Sequence, residues 1–242
     1  MKIKRHIPNG TTLCNALAGC LGIVTALKGD LILSSYLIAA AALFDFFDGL
    51  SARVLNVYSP IGKDLDSLAD VISFGICPAA ILFKTMENYF DLYGLNFLFF
   101  SILPYSAFII SMASALRLAK FNKDERQSVK FIGLPTPANA LLIASIPHIL
   151  LYKYVQSIMN NTALVTTMFI VLILISSYLL VSKISFIDFK TNNVLNKPYL
   201  KTIYTIIIGI SLLLIFIFKF LAVPIILMIY IIFSLVVFNN KK

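Results

Sequence analysis

Apolar residues run along this chain in long blocks separated by short polar or charged links. A helix needs about 20 apolar residues to cross a bilayer core. The blocks therefore predict eight transmembrane helices, at roughly 12–27, 31–54, 64–86, 94–118, 135–156, 161–182, 201–219 and 222–239. The second and third blocks are the least apolar, because both carry aspartates. Their polar ends are expected to project past the lipid into the membrane interface. The predicted fold class is all-α, a polytopic helical membrane protein. A division is expected near residue 183, with a catalytic membrane domain over 1–182. A polar link and two C-terminal helices would then occupy 183–242.

The links carry their charge unevenly. Lys2, Lys4, Arg5, Arg53, Lys63 and the run from Arg117 through Lys120, Lys123 and Arg126 to Lys130 fall on one side of the predicted topology. Lys183, Lys190, Lys197, Lys201, Lys241 and Lys242 join them, while Lys28, Lys84, Lys153 and Lys219 fall on the other. Cytoplasmic loops collect lysine and arginine, so both termini and the first group are expected to face the cytoplasm of a cell membrane. An odd number of spans would break this alternation.

Composition sharpens the same picture. The chain is 60% hydrophobic and 13% charged, against about 25% charged in a soluble domain. The net charge of +9 is read as cytoplasmic loops facing anionic headgroups. No basic stretch is interleaved with aromatics on a soluble domain, so no nucleic-acid partner is expected. Cys14, Cys20 and Cys77 lie in apolar runs without CxxC spacing and are read as buried small hydrophobes. The first residues, MKIKRHIPNG, are basic, but the apolar run behind them contains Asn15 and lacks a convincing cleavage site. A removable signal peptide is therefore not expected.

Between Asp45 and Asp70 four carboxylates stand at spacings of 3, 18 and 4. Charge inside an apolar chain is costly and marks function. Asp45 and Asp48 share one helix face, and so do Asp66 and Asp70. The link N-V-Y-S-P-I-G makes the two helices antiparallel neighbours whose charged ends meet at the membrane surface. Four carboxylates crowded together repel one another, and divalent cations relieve that repulsion. Oxygen-only ligands suit Mg2+ or Mn2+. A cation cluster then leaves positive field for a phosphate, as phosphoryl or phosphatidyl transfer requires. Gly49 permits close approach of a flat ligand or of another helix. Arg53 either grips a phosphate in two prongs or snorkels to the headgroups.

The pattern D-x2-D-G-x2-A-R-x8-G-x3-D-x3-D runs through Asp45, Asp48, Gly49, Ala52, Arg53, Gly62, Asp66 and Asp70. It resembles the signature of the CDP-alcohol phosphotransferases at every fixed position. The resemblance implies a membrane-embedded helical bundle that cleaves the pyrophosphate of a CDP-linked donor and releases CMP. It implies two divalent cations held by Asp45, Asp48, Asp66 and Asp70, with Asp70 also taking the acceptor proton. Gly49, Ala52, Arg53 and Gly62, with Asp48 and Asp66, would shape the cytidine diphosphate site. Homologous enzymes suggest a homodimer.

Flanking blocks narrow the resemblance. I-P-N-G-T-T-L-C-N at 7–15, V-I-S-F-G-I-C-P-A-A at 71–80, A-L-R-L-A-K-F-N at 115–122 and G-L-P-T-P-A-N-A at 133–140 are together similar to phosphatidylserine synthases of the membrane-embedded type. The donor implied is CDP-diacylglycerol and the acceptor L-serine, within membrane lipid. Lys120 stands where that group usually has arginine, so the charge is kept and the planar fork is lost. Arg117, Lys120, Asn122 and Ser73 are the expected acceptor-binding residues. A sister enzyme using glycerol 3-phosphate, inositol phosphate or an amino alcohol is the nearest alternative. A cation transporter is a distant one, and it would call for midplane carboxylates and an inverted repeat.

Overall fold

The computed structural model describes residues 6–55, 60–95, 97–123, 131–186 and 198–239. Arg126, Lys130 and the polar link at 187–197 lie outside the described residues, as do both extreme termini. The chain is built from α1 (His6–Leu27), α2 (Leu31–Val54), α3 (Pro60–Asp70), a π-helical turn (Val71–Ile76) and α4 (Cys77–Leu92). Then follow α5 (Leu98–Ile102), α6 (Phe108–Lys123), α7 (Thr136–Leu150), α8 (Lys153–Met159), α9 (Thr162–Val181), α10 (Pro198–Phe218) and α11 (Ala222–Asn239). The strands β1 (Phe131–Ile132) and β2 (Ser185–Phe186) pair antiparallel. This two-residue ladder does not alter the all-α architecture.

Among the described residues, six helical stretches are long and apolar enough to cross a membrane, where eight were expected. Two differences account for the count. Helix α7 is apolar but only 15 residues long. Helices α10 and α11 are joined by a 3-10 turn at Lys219–Leu221, so Thr205–Ser234 counts as one helical stretch. The exposed faces of the spans carry many large apolar side chains. On α1, Leu13, Leu17, Leu21 and Val24 are exposed at helical spacing, and on α2 so are Leu43, Phe46, Phe47, Leu50 and Val54. A surface of this kind is matched by lipid rather than water, and the chain is an integral membrane protein. Cys14 and Cys20 also face outward on α1, and Cys77 alone of the three cysteines is buried.

Helix α4 is the axis of the bundle. Cys77, Ala79, Ala80, Ile81, Leu82 and Met86 are each at most 1% exposed, so several faces of the helix are covered. Helices α1, α2, α6 and α7 pack around it. Its start explains the π-helical turn before it. Pro78 has no N–H, and its ring would press on the carbonyl one turn back. The chain widens instead, and the Cys77 N–H donates to the Ile72 carbonyl five residues earlier. Helix α2 starts where the Asp30 side chain accepts from the Leu33 N–H at 3.0 Å, and α9 where Asn161 accepts from Leu164 at 3.1 Å.

Two glycines set how closely the pieces approach. A Cβ on Gly19 of α1 would stand 2.7 Å from the Ser73 Cα, so α1 rests directly on the π-helical backbone. Gly133 has φ +80°, and a Cβ there would lie 2.6 Å from the Leu180 carbonyl oxygen. The Gly133 N–H donates to Ile184 at 2.9 Å and that of Leu134 to Leu179 at 3.0 Å. This crossing pins the segment that opens α7 against the end of α9.

Gly19→Ala is expected to lower the thermal unfolding temperature in detergent by an amount matching about 2 kcal/mol, because backbone must shift. Gly209→Ala has nothing within 4 Å of the added carbon and serves as the comparison. Equal unfolding temperatures for the two variants would remove the close contact from the account.

Candidate active site

The site forms where the C-terminal end of α2 meets α3. Asp45 and Asp48 lie one turn apart on α2, and Asp66 lies on α3. One carboxylate oxygen from each comes within 4.8 Å of the others. Opposite oxygens around a magnesium ion are about 4.2 Å apart, so small side-chain rotations bring the three onto one cation. The donor set is oxygen only, which suits hard divalent cations. By spacing and chemistry the trio fits such an ion.

Asp70 stands one turn beyond Asp66, outside that compact trio, and is 8% exposed. It remains within electrostatic reach of Asp45, Asp66 and Asp48. One of its oxygens accepts a hydrogen bond from the Asn15 amide at 3.3 Å. Asp48 is also buried, and its Oδ2 lies 2.8 Å from the Thr12 hydroxyl. That hydroxyl is 2.9 Å from the Pro8 carbonyl as well, so one proton is shared between two acceptors. Helix α1 thus supplies a donor to a carboxylate on each of the two acidic helices. These two residues were not singled out from the sequence as site residues, although both lie in the 7–15 block.

The predicted nucleotide-side residues line the same helix end. Gly49 is half-buried, and a Cβ there would meet only the Arg53 Nη2, at 4.0 Å. Open space therefore lies beside it. Arg53 is exposed and folds back so that its Nε donates to the Gly49 carbonyl at 2.9 Å. Ala52 and Gly62 are half-buried on α2 and α3.

The predicted acceptor residues separate into two groups. Arg117, on α6, is 6% exposed and within electrostatic reach of Asp70. Its Nη1 lies 3.4 Å from the Thr136 hydroxyl at the start of α7. Lys120 is exposed. Asn122 and Ser73 make hydrogen bonds within the bundle. The Asn122 amide donates to the Ser67 hydroxyl at 2.7 Å, and its carbonyl accepts from Lys63 at 3.2 Å, which ties α6 to α3. Ser73 is fully buried, and its hydroxyl lies 2.9 Å from the Asn15 carbonyl and 3.0 Å from that of Ala69. Its side chain faces α1.

Comparison with known proteins finds similarity over most of the chain. The family model described as CDP-alcohol phosphatidyltransferase matches residues 5–169. A CDP-diacylglycerol–serine O-phosphatidyltransferase of Bacillus subtilis (strain 168) is 34% identical over 185 residues, covering 76% of this chain and 92% of that protein. An enzyme of the same description from Methanocaldococcus jannaschii is 35% identical over 139 residues, covering 57% of this chain and 62% of its own. One from Helicobacter pylori (strain 26695) is 33% identical over 185 residues, with 76% and 72% covered.

Thr12→Val removes the donor to Asp48 while keeping the side chain's shape. It is expected to weaken Mn2+ binding, read by titration calorimetry, about tenfold. Asp66→Asn should weaken it further. An unchanged Mn2+ affinity in both variants would show that the trio does not hold the ion.

Proposed function

The chain belongs to the CDP-alcohol phosphatidyltransferase family, and on that premise we propose that it transfers the phosphatidyl group of CDP-diacylglycerol to L-serine, giving phosphatidylserine and CMP. The observation that carries this reading is the carboxylate trio across α2 and α3, with Asp70 and Arg117 buried beside it. The relatives' printed activity and the four flanking sequence blocks support serine as the acceptor.

In the proposed reaction Asp70 takes the proton of the serine hydroxyl. The hydroxyl oxygen attacks the lipid-side phosphorus, the new P–O bond forms, and the bond to CMP breaks in the same displacement. Two bound Mg2+ or Mn2+ ions would supply positive charge for the pyrophosphate and the departing CMP. Asp45, Asp48 and Asp66 would hold them, with Asp70 at their edge. Gly49, Ala52, Arg53 and Gly62 would receive the cytidine diphosphate, the open space beside Gly49 leaving room for a flat ligand against the backbone. Arg117 would meet the serine carboxylate with a planar pair of donors. Lys120 would add positive potential from the exposed end of α6.

The acyl chains of the donor would enter sideways from the bilayer, since the outer faces of α1 and α2 near the site are apolar. Arg53, Lys63, Arg117, Lys120 and Lys123 gather on the helix ends around the aspartates, which supports a site opening to the cytoplasm. The catalytic part would span 1–182, and the family resemblance extends the proposal to a homodimer.

The purified membrane protein with CDP-diacylglycerol and Mn2+ is expected to release CMP on adding L-serine, followed by mass spectrometry of the lipid product. Release with glycerol 3-phosphate, inositol phosphate or an amino alcohol, and none with serine, would replace the acceptor. Asp70→Asn should slow release about 100-fold or more, and a wild-type rate would remove Asp70 from the chemistry. A chiral phosphate should emerge with single inversion, whereas net retention would require a covalent intermediate.

A further inference from the structure

The two C-terminal helices lie beyond the segment that the family model matches, which ends at residue 169. They carry no acidic residue, and their sequence suggests nothing beyond packing. Their placement suggests more. Leu227 of α11 and Leu134, two residues before Thr136, form a buried pair, with Ala138, Leu142, Leu179, Ile184, Tyr230 and Ile231 against it. At the other end of α7, His148 stacks on Phe220 at 4.5 Å between ring centres, and Tyr36 of α2 meets both edge-on. Helix α11 is therefore fastened along α7. That fastening packs half-buried Tyr230 against the pair containing Leu134, two residues before the Thr136 whose hydroxyl lies 3.4 Å from the Arg117 Nη1, and so within electrostatic reach of the guanidinium.

Arg117 stands in a buried polar setting. Thr136 lies at 3.4 Å from one of its nitrogens, and the Phe121 ring centre is 5.8 Å from its central carbon. One turn before it on α6, Ser114 is fully buried, and its hydroxyl meets no protein hydrogen-bond partner among the described residues. One turn after Thr136 on α7, Asn139 is fully buried, and neither its amide nitrogen nor its oxygen meets one. Buried polar groups are satisfied in nearly all folded proteins, so two such side chains, one a turn from Arg117 and the other a turn from Thr136, mark a place for a polar ligand. A guanidinium has five N–H donors. Its plane is set by whichever acceptors surround it.

We propose that the C-terminal helices complete the acceptor end of the site, with the Tyr230 hydroxyl on α11 orienting the Arg117 guanidinium toward the carboxylate of an amino-acid acceptor. Tyr230 is then a positioning residue, supplied by a part of the chain outside the matched family segment. The inference rests on the role proposed above for Arg117.

Tyr230→Phe keeps the ring and its packing and removes only the hydroxyl. The full-length variant in detergent, assayed for CMP release, is expected to show a KM for L-serine raised about tenfold. Its kcat, its KM for CDP-diacylglycerol and its unfolding temperature should stay within error of the wild type. A serine KM within twofold of wild type overturns the proposal. So does an equal rise in both KM values accompanied by a lower unfolding temperature, which would make Tyr230 a packing residue only. If the wild type turns over with a different acceptor, the serine assignment fails by itself. Tyr230 is then judged by the same KM comparison on the acceptor that is used, an unchanged KM overturning its role.

Discussion

Carboxylates set beside hydrocarbon persist only where donors and cations answer their charge. That constraint organises this protein. Three aspartate oxygens gather within 4.8 Å, and a fourth carboxylate lies within their field. Helix α1 answers part of the charge, through Thr12 on Asp48 and Asn15 on Asp70. Arg117 approaches from α6, buried and in reach of Asp70. The trio offers oxygen ligands alone, a set that fits hard divalent cations.

The remaining architecture can be understood as the means of holding that arrangement steady. Helix α1 can reach both acidic helices because Gly19 lets it lie on the backbone at Ser73. The π-helical turn there follows from Pro78, and it begins immediately after Asp70. Ser73 closes the contact by lying within hydrogen-bond reach of the carbonyl of Asn15, whose amide donates to Asp70. One residue of α1 is thus bonded both to the turn and to the carboxylate. On the far side, Gly133 and the short β ladder deliver Thr136 to Arg117. Widened turns of this kind are common at functional sites.

Much of the site was legible in the chain because its parts are local. Asp45 with Asp48, and Asp66 with Asp70, have helical spacings, and α2 and α3 did form around them. The donors from α1 were not legible, because they meet their carboxylates across 36 and 55 residues of sequence. The contacts of Ser73 with α1 and of Asn122 with α3 were likewise not legible, because they span 58 and 55 residues of sequence. The count of spans also depended on more than apolar length, since α7 is short and α10 runs through a 3-10 turn into α11.

The sequence by itself determined that this chain lives in a membrane, that its helices carry two acidic pairs, and which family signature those pairs spell. Hydropathy and helical periodicity are properties of neighbours along the chain, so they need no fold to be read. Tertiary structure decided which donors stand against which carboxylates, that Asp70 lies apart from the trio, and that α11 comes to rest near Arg117. Those outcomes turn on the close approach of distant segments, and packing between them exists only once the bundle has closed.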